Sequence, residues 1–246
     1  MSSRHTIRLP FDERGGLVVL VDPGRSTPDD AFALASRAAD GGACGFLVGD
    51  SMGNGDRISE HVAAIRAGSG GAPVVQFPAS AAELCTDVDA VLFLVLLSGR
   101  NPRYLIEEQV KSVSFFDHNR HVAAISTAYL LIEGGRTSAV ERVTGTRPLP
   151  ADDVSGIAEH VRAGQLMGLS ATYLEAGSGA SNPIAPRTIE AARRATRGPL
   201  LVGGGITDAA AARDARAAGA DYVVVGTLFE HHPAAPVQAL ADAARA

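Results

Sequence analysis

One short segment, Tyr173-Leu174-Glu175-Ala176-Gly177-Ser178-Gly179, brings together a phenol, an acid and a glycine-rich turn. The apolar residues around Tyr173 read as a strand, so the phenol and the carboxylate emerge near its end and the glycines form the turn that follows. A carboxylate there can orient hydroxyl groups and take a proton. Glycines let backbone N–H groups approach an anion with no Cβ in the way. That combination suits a small phosphorylated polyol. Two later segments, Leu201-Val202-Gly203-Gly204-Gly205-Ile206 and Tyr222-Val223-Val224-Val225-Gly226-Thr227, repeat the pattern of an apolar strand ending in glycine. Three such strand ends in succession predict one phosphate site. Taken alone, a triple glycine before a helix serves any phosphate and specifies no reaction.

Apolar runs alternate with alanine-rich stretches from about Gly16 to the C-terminus, the pattern of a parallel sheet. Strands are expected near Leu17 to Val21, Gly45 to Val48, Pro73 to Phe77, Ala90 to Leu97, Val122 to Ile132, Thr172 to Glu175, Leu200 to Val202 and Tyr222 to Val225. The clearest helices are Asp29 to Ala39, Ala151 to Met167, Pro186 to Thr196, Asp208 to Ala218 and Pro233 to Ala244. Eight strands with helices between them predict a single (β/α)8 TIM-barrel domain over residues 1–246. A doubly wound open sheet is the rival. No strand precedes a dinucleotide fingerprint, and Gly204 and Gly226 fall after strands seven and eight, where barrels hold phosphate. Residues 133–150 form a long polar connection that is either an active-site lid or a surface loop.

With 246 residues, 46% of them hydrophobic and 20% charged, the chain can bury a sizeable core. A net charge of −5 with dispersed signs excludes the basic stripe of a nucleic-acid surface. The longest apolar run, Ala90 to Leu97, is far short of the roughly 20 residues of a membrane helix, and the N-terminus lacks the basic-then-apolar pattern of a secretory signal. The expected location is the cytoplasm. Cys44 and Cys85 have neither pairing nor metal-ligand spacing. His118 and His121 lack a third ligand, and His231-His232 read as the approach to the last helix.

The segment from Tyr173 to Ala180 resembles the phosphoglycerol-binding motif of the geranylgeranylglyceryl phosphate synthase family. Val21-Asp22-Pro23 resembles the family's first-strand Asp-Pro motif, and Gly49-Asp50-Ser51 stands where it has Gly-Gly-Ser. Gln76-Phe77-Pro78-Ala79-Ser80 resembles its Phe-Pro-Gly-Ser, and Ser126-Thr127-Ala128-Tyr129-Leu130 its Pro-Thr-Gly-Tyr. In order and spacing the likeness runs from about Leu17 to Glu230. It implies a barrel prenyltransferase that makes the first ether bond of isoprenoid lipids, joining the C3 hydroxyl of sn-glycerol 1-phosphate to a polyprenyl, expectedly geranylgeranyl, diphosphate. It further implies a cytosolic homodimer whose donor approaches from the membrane.

By the same resemblance Mg²⁺ is the cofactor, with Asp22 as the principal ligand and Ser51 the second. The acceptor would lie along Tyr173, Leu174, Glu175, Ala176, Gly177, Ser178 and Gly179, its phosphate on the N–H groups of Gly204, Gly205, Gly226 and Thr227. Glu175, with Tyr173 beside it, would be catalytic, accepting the C3 proton; Tyr129 would stand near the diphosphate or the glycerol. Leu94, Leu96, Leu97, Tyr104 and Leu130 could line the prenyl groove or belong to the core.

This chain departs from the family pattern at the first strand. Where an acid and a lysine usually follow Asp-Pro, it has Gly24 and Arg25, which keep the positive charge for a substrate but change its geometry. Asp50 adds a carboxylate at the neighbouring strand end, expected to compensate for the acid missing at Gly24 in holding Mg²⁺. Two other readings share the late-strand phosphate site: a phosphosugar isomerase, synthase or aldolase, and a barrel that binds a phosphorylated metabolite without catalysis. The only lysine, Lys111, sits among polar residues of a predicted helix, so a Schiff-base aldolase has no candidate at a strand end.

Overall fold

The structure, a computed structural model, describes residues 8–49 and 57–246. Eight parallel strands close into a barrel in sequence order: β1 (Gly16–Val21), β2 (Gly45–Val48), β3 (Val74–Gln76), β4 (Ala90–Leu96), β5 (Ala123–Leu131), β6 (Ala171–Glu175), β7 (Leu200–Gly203) and β8 (Tyr222–Val225). The helices between them are α1 (Pro28–Asp40), α2 (Ile58–Gly68), α3 (Glu108–His118), α4 (Ala139–Thr144), α5 (Val154–Leu166), α6 (Pro186–Ala195), α7 (Ala209–Ala217), α8 (Thr227–His231) and α9 (Val237–Arg245). The barrel expected from the strand and helix alternation is therefore the fold.

Strand parity decides which residues can meet. Successive side chains on a strand point to opposite faces, and the outward set (Leu17, Val19, Val21, Phe46, Val48, Val74, Leu174 and Val202 among them) packs against the helices in one large buried cluster. The inward set (Val18, Leu47, Val75, Leu92, Ile125, Tyr129, Tyr173, Leu201, Tyr222 and Val224) fills the lumen. Continuing each inward series to the C-terminal rim reaches Asp22, Gly49, Phe77, Tyr129, Glu175, Gly203 and Gly226. Register aligns them, pairing Tyr129 with Tyr173 and Glu175 with Gly203. At the opposite end Phe11 plugs the barrel, packing edge-on to Tyr222 with ring centroids 5.4 Å apart, while the Tyr222 hydroxyl donates to the Asp12 carbonyl.

Helix ends follow local chemistry. Thr27 and Asp30 form a capping box ahead of Pro28, and Asp153 and Asp208 cap α5 and α7 from outside. Those two helices consequently begin just after the residues at which the sequence pattern placed their starts. Residues 133–150 are not wholly irregular. An Ile132–Leu149 bridge ties the base of the segment, and α4 within it starts at the Ser138 cap and stops at Gly145 in the left-handed conformation (φ 66°).

Candidate active site

At the C-terminal rim a cavity of about 450 Å³ opens between the β1, β6, β7 and β8 loops and α4. Its wall includes Asp22, Gly49, Tyr129, Tyr173, Glu175, Ser178, Gly179, Gly204, Gly205, Gly226 and Thr227, so most residues singled out in the sequence stand around one space. Leu174 does not: its side chain belongs to the outer packing layer. Ala176 and Gly177 turn away too, although the Gly177 backbone takes part. Arg25 stands off the wall. Asp50 and Ser51 lie outside the described residues.

Glu175 is the electrostatic centre of this cavity. Only 7% exposed, it accepts a hydrogen bond from the Gly177 N–H at 2.7 Å. Burial pushes its carboxyl above the usual carboxylate range, while Tyr173 and the Gly177 N–H pull the other way. The hydroxyls of Tyr129 and Tyr173 are buried and find no hydrogen-bond partner among the described residues. Burial, and then the Glu175 charge, hold both phenols well above their ordinary range. Two orphaned hydroxyls beside a desolvated carboxylate form a ready receptor for the hydroxyls of a polyol, because each unmade hydrogen bond is costly until a ligand supplies it.

The glycine turns are sterically required. A Cβ on Gly204 (φ 84°) would stand 2.6 Å from Glu175 Oε1 and 2.8 Å from the backbone nitrogens of Ala176 and Gly177. On Gly205 (φ 71°) it would meet the Asn182 carbonyl at 2.7 Å. The β7 turn thus packs directly on the β6 turn. Ser178 and Thr227 join their hydroxyls at 3.2 Å, and the Gly179 N–H donates to Thr227 Oγ1 at 3.3 Å, tying β6 to β8.

At the end of β1, beside the β8 turn, Asp22 accepts from the Gly24 N–H at 2.8 Å and lies 3.5 Å from the Arg25 guanidinium. Arg25 in turn pairs with Glu230 at 3.1 Å. This bridge from the β1 loop to α8 has no sequence signal, since its partners stand 205 residues apart. Glu230, His231 and His232 also line the cavity, so the two histidines do more than lead into the last helix. Mg²⁺ takes one or two carboxylates and completes its shell with phosphate oxygens and water. One nearly buried carboxylate on the wall of a cavity with room for phosphate groups fits that demand. No group of three or more His, Cys, Asp or Glu among the described residues could hold an ion by protein ligands alone.

A second, apolar groove runs from this cavity between β3, β4 and α3. Phe77, Pro78, Leu92, Phe93, Leu94, Leu96, Tyr104, Phe116, Val140 and Val143 line it. Gly49, Phe77, Tyr129 and Val140 belong to both spaces. At that junction Phe77 packs against Tyr129 and Tyr173, with ring centroids 5.4 and 5.5 Å away. Of the leucines considered for such a groove, Leu94 and Leu96 line it, while Leu97 and Leu130 pack in the outer layer. Phe93 and Phe116, which meet edge-on at 5.7 Å, carried no sequence signal beyond their place in apolar runs.

The sequence profile of the PcrB family matches residues 11–244. Geranylgeranylglyceryl phosphate synthase of Flavobacterium johnsoniae is 37% identical over 215 residues, covering 87% of this chain and 88% of the relative. That of Methanothrix thermoacetophila is 40% identical over 215 residues, covering 87% and 83%. Among solved structures, (S)-3-O-geranylgeranylglyceryl phosphate synthase of Thermoplasma acidophilum in complex with its substrate sn-glycerol-1-phosphate superposes with a TM-score of 0.88 at 27% identity, covering 94% of this chain and 93% of that one. An N-acetylmannosamine-6-phosphate 2-epimerase of Clostridium perfringens, at 14% identity and a TM-score of 0.59, shares the fold alone. With its profile spanning nearly the whole chain, the protein belongs to the PcrB family.

Proposed function

We propose that this protein is a prenyltransferase that joins the C3 hydroxyl of sn-glycerol 1-phosphate to the terminal carbon of a polyprenyl diphosphate, geranylgeranyl in the first instance, and releases diphosphate. One observation carries the reading: a polar cavity with a buried carboxylate and a glycine cradle opens, through Gly49, Phe77, Tyr129 and Val140, onto an apolar groove. A hydrophilic acceptor and a hydrocarbon donor need that juxtaposition.

The acceptor phosphate rests on the turns at Gly204, Gly205, Gly226 and Thr227, with Ser178 beside them. Tyr129 and Tyr173 take the glycerol hydroxyls. Glu175 accepts the C3 proton as the C3 oxygen forms its bond to the allylic carbon; the carbon–oxygen bond to diphosphate breaks and the leaving group keeps the electron pair. Burial makes Glu175 a stronger base than an exposed carboxylate. Asp22, with Asp50 and Ser51 from the sequence after β2, would hold Mg²⁺, which when bound neutralises diphosphate charge. Arg25, tied to Asp22 and Glu230, adds positive charge on the same side.

No helix among the described residues is long and apolar enough to cross a membrane. The same reading has a cytoplasmic homodimer meeting its donor at a bilayer surface. The decisive assay incubates the protein with labelled sn-glycerol 1-phosphate and prenyl diphosphates of graded length, with Mg²⁺ or with chelator. Chelator-sensitive transfer of label into an organic-soluble ether is expected. Retention of label in the aqueous phase with every donor would overturn the assignment.

A further inference from the structure

His61, in the first turn of α2, is fully buried. Its two ring nitrogens face two carbonyl oxygens: Nδ1 lies 2.8 Å from that of Arg57 and Nε2 3.0 Å from that of Ser26. A carbonyl only accepts, so each contact is a hydrogen bond only while that nitrogen carries a proton. A neutral ring would set one lone pair against an oxygen lone pair, with no water to replace the lost bond.

These two carbonyls belong to the loops after the first two strands. Ser26 lies between Asp22 and the α1 capping box; its hydroxyl donates to the Asp22 carbonyl at 2.9 Å, and the Arg57 guanidinium also donates to the Ser26 carbonyl at 2.9 Å. Arg57 precedes α2 and follows directly on the segment that carries Asp50 and Ser51. A single ring therefore joins the loop holding Asp22 to the start of α2.

We propose that His61 is a positioning residue for the transfer reaction: donating from both ring nitrogens, it braces the β1 loop against α2 and so fixes Asp22 on the diphosphate side of the cavity. This rests on the prenyltransferase reading for its consequence but not for its geometry. Among the described residues, Asp30 and Arg57 are the charged groups near the ring. Asp30, from α1, is held below the usual carboxylate range chiefly by its bonds from Thr27, with the His61 charge a smaller contribution. Arg57 supplies a like charge at the Ser26 carbonyl. The strands beneath α2, β2 and β3, carry no titratable side chain.

Two measurements on the full-length protein test the brace. In ¹⁵N-histidine-labelled wild type, the His61 ring, assigned by its loss in His61→Gln, should show hydrogen-bonded N–H signals from both ring nitrogens. A ring with only one hydrogen-bonded N–H would overturn the proposal whether or not the protein transfers prenyl groups. In kinetics, His61→Gln, which cannot donate in both directions, should raise the KM for the prenyl diphosphate about tenfold, the worth of about one charge-assisted hydrogen bond. The KM for sn-glycerol 1-phosphate should stay within about twofold. A purely structural histidine would leave both KM values unchanged while lowering Tm, and that result too would overturn the proposal. Absence of transfer by the wild type would sink the functional reading alone and leave the ring measurement to decide the brace.

Discussion

Replacing Glu175 with Gln tests the proton-accepting role proposed for this residue. The amide has nearly the same shape, and its carbonyl oxygen can still accept the Gly177 N–H that Glu175 Oε1 accepts at 2.7 Å. Cavity shape and phosphate cradle therefore persist, and only basicity is lost. A positioned general base contributes about 10²–10⁴-fold, equivalent to about 2.7–5.4 kcal/mol of barrier at ~1.36 kcal/mol per decade. The variant should lose that factor in kcat, with the KM for sn-glycerol 1-phosphate changed by less than about threefold, since ground-state contacts remain. In the wild type, kcat/KM should rise with pH through a value above the usual carboxylate range, because the base works ionised and burial has raised it. That acidic limb should be missing from the variant. Stability moves oppositely. A carboxyl raised in the folded state contributes stability below its unfolded value that is lost as pH rises through the folded one. At neutral pH Glu175→Gln should thus be the more stable protein in urea titrations, with the gap closing in acid. A variant that keeps kcat within about tenfold of wild type would refute the base assignment.

Gly204→Ala puts a Cβ against Glu175 Oε1 and two backbone nitrogens at a positive φ; we expect a loss of about 1–3 kcal/mol from strain alone and a large rise in acceptor KM, measured by urea unfolding and initial rates. Tyr129→Phe removes a buried hydroxyl that has no partner among the described residues; Tm should hold or rise while acceptor KM rises about fivefold, the worth of ~1 kcal/mol for one hydrogen bond. Asp22→Asn should raise the Mg²⁺ concentration needed for half-maximal rate at least about tenfold, and an unchanged Mg²⁺ titration would remove Asp22 from the metal site. Asp50→Ala with unchanged Mg²⁺ dependence would likewise end the idea that this carboxylate compensates for Gly24. Phe11→Ala, at the barrel end opposite the site, should cost about 3–5 kcal/mol and leave both KM values as they were.

The barrel was legible because its strands are short, apolar and separated by capped helices, and a parallel barrel asks little more of a sequence. Parity then carries much of the site: counting by twos from Val18 to Asp22, or from Ala171 to Glu175, predicts which side chains reach the lumen, and the structure places them there. The same count would have removed Leu174 and Leu130, which fall on the outward set. Helix α4 was illegible for a different reason. Six residues are too few for helical periodicity to register, and only the Ser138 cap and Gly145 mark its ends. Glu230 and its bridge to Arg25 depend on barrel closure bringing the first and last strands side by side, which no local pattern encodes. His61 reads in sequence as one more residue of a helix; its meaning lies in the two carbonyls it faces.

The junction between the two spaces bears on the basicity proposed for Glu175. Tyr129 and Tyr173 stand close enough to feel the Glu175 charge, and Phe77 packs against both rings, so the aromatic cluster at the junction packs around the buried carboxylate. Desolvation is the largest influence on Glu175 and acts against the Tyr173 hydroxyl and the Gly177 N–H, which favour its charge. The result is an ionisable group kept basic by packing yet held in place by the Gly177 N–H. Loosening the packing should therefore weaken catalysis without touching a polar group. Phe77→Ala opens a water path to Glu175, and its acidic pH limb should shift toward the ordinary carboxylate range while the donor KM rises. An unshifted limb would mean that the aromatic seal contributes nothing to the basicity of Glu175.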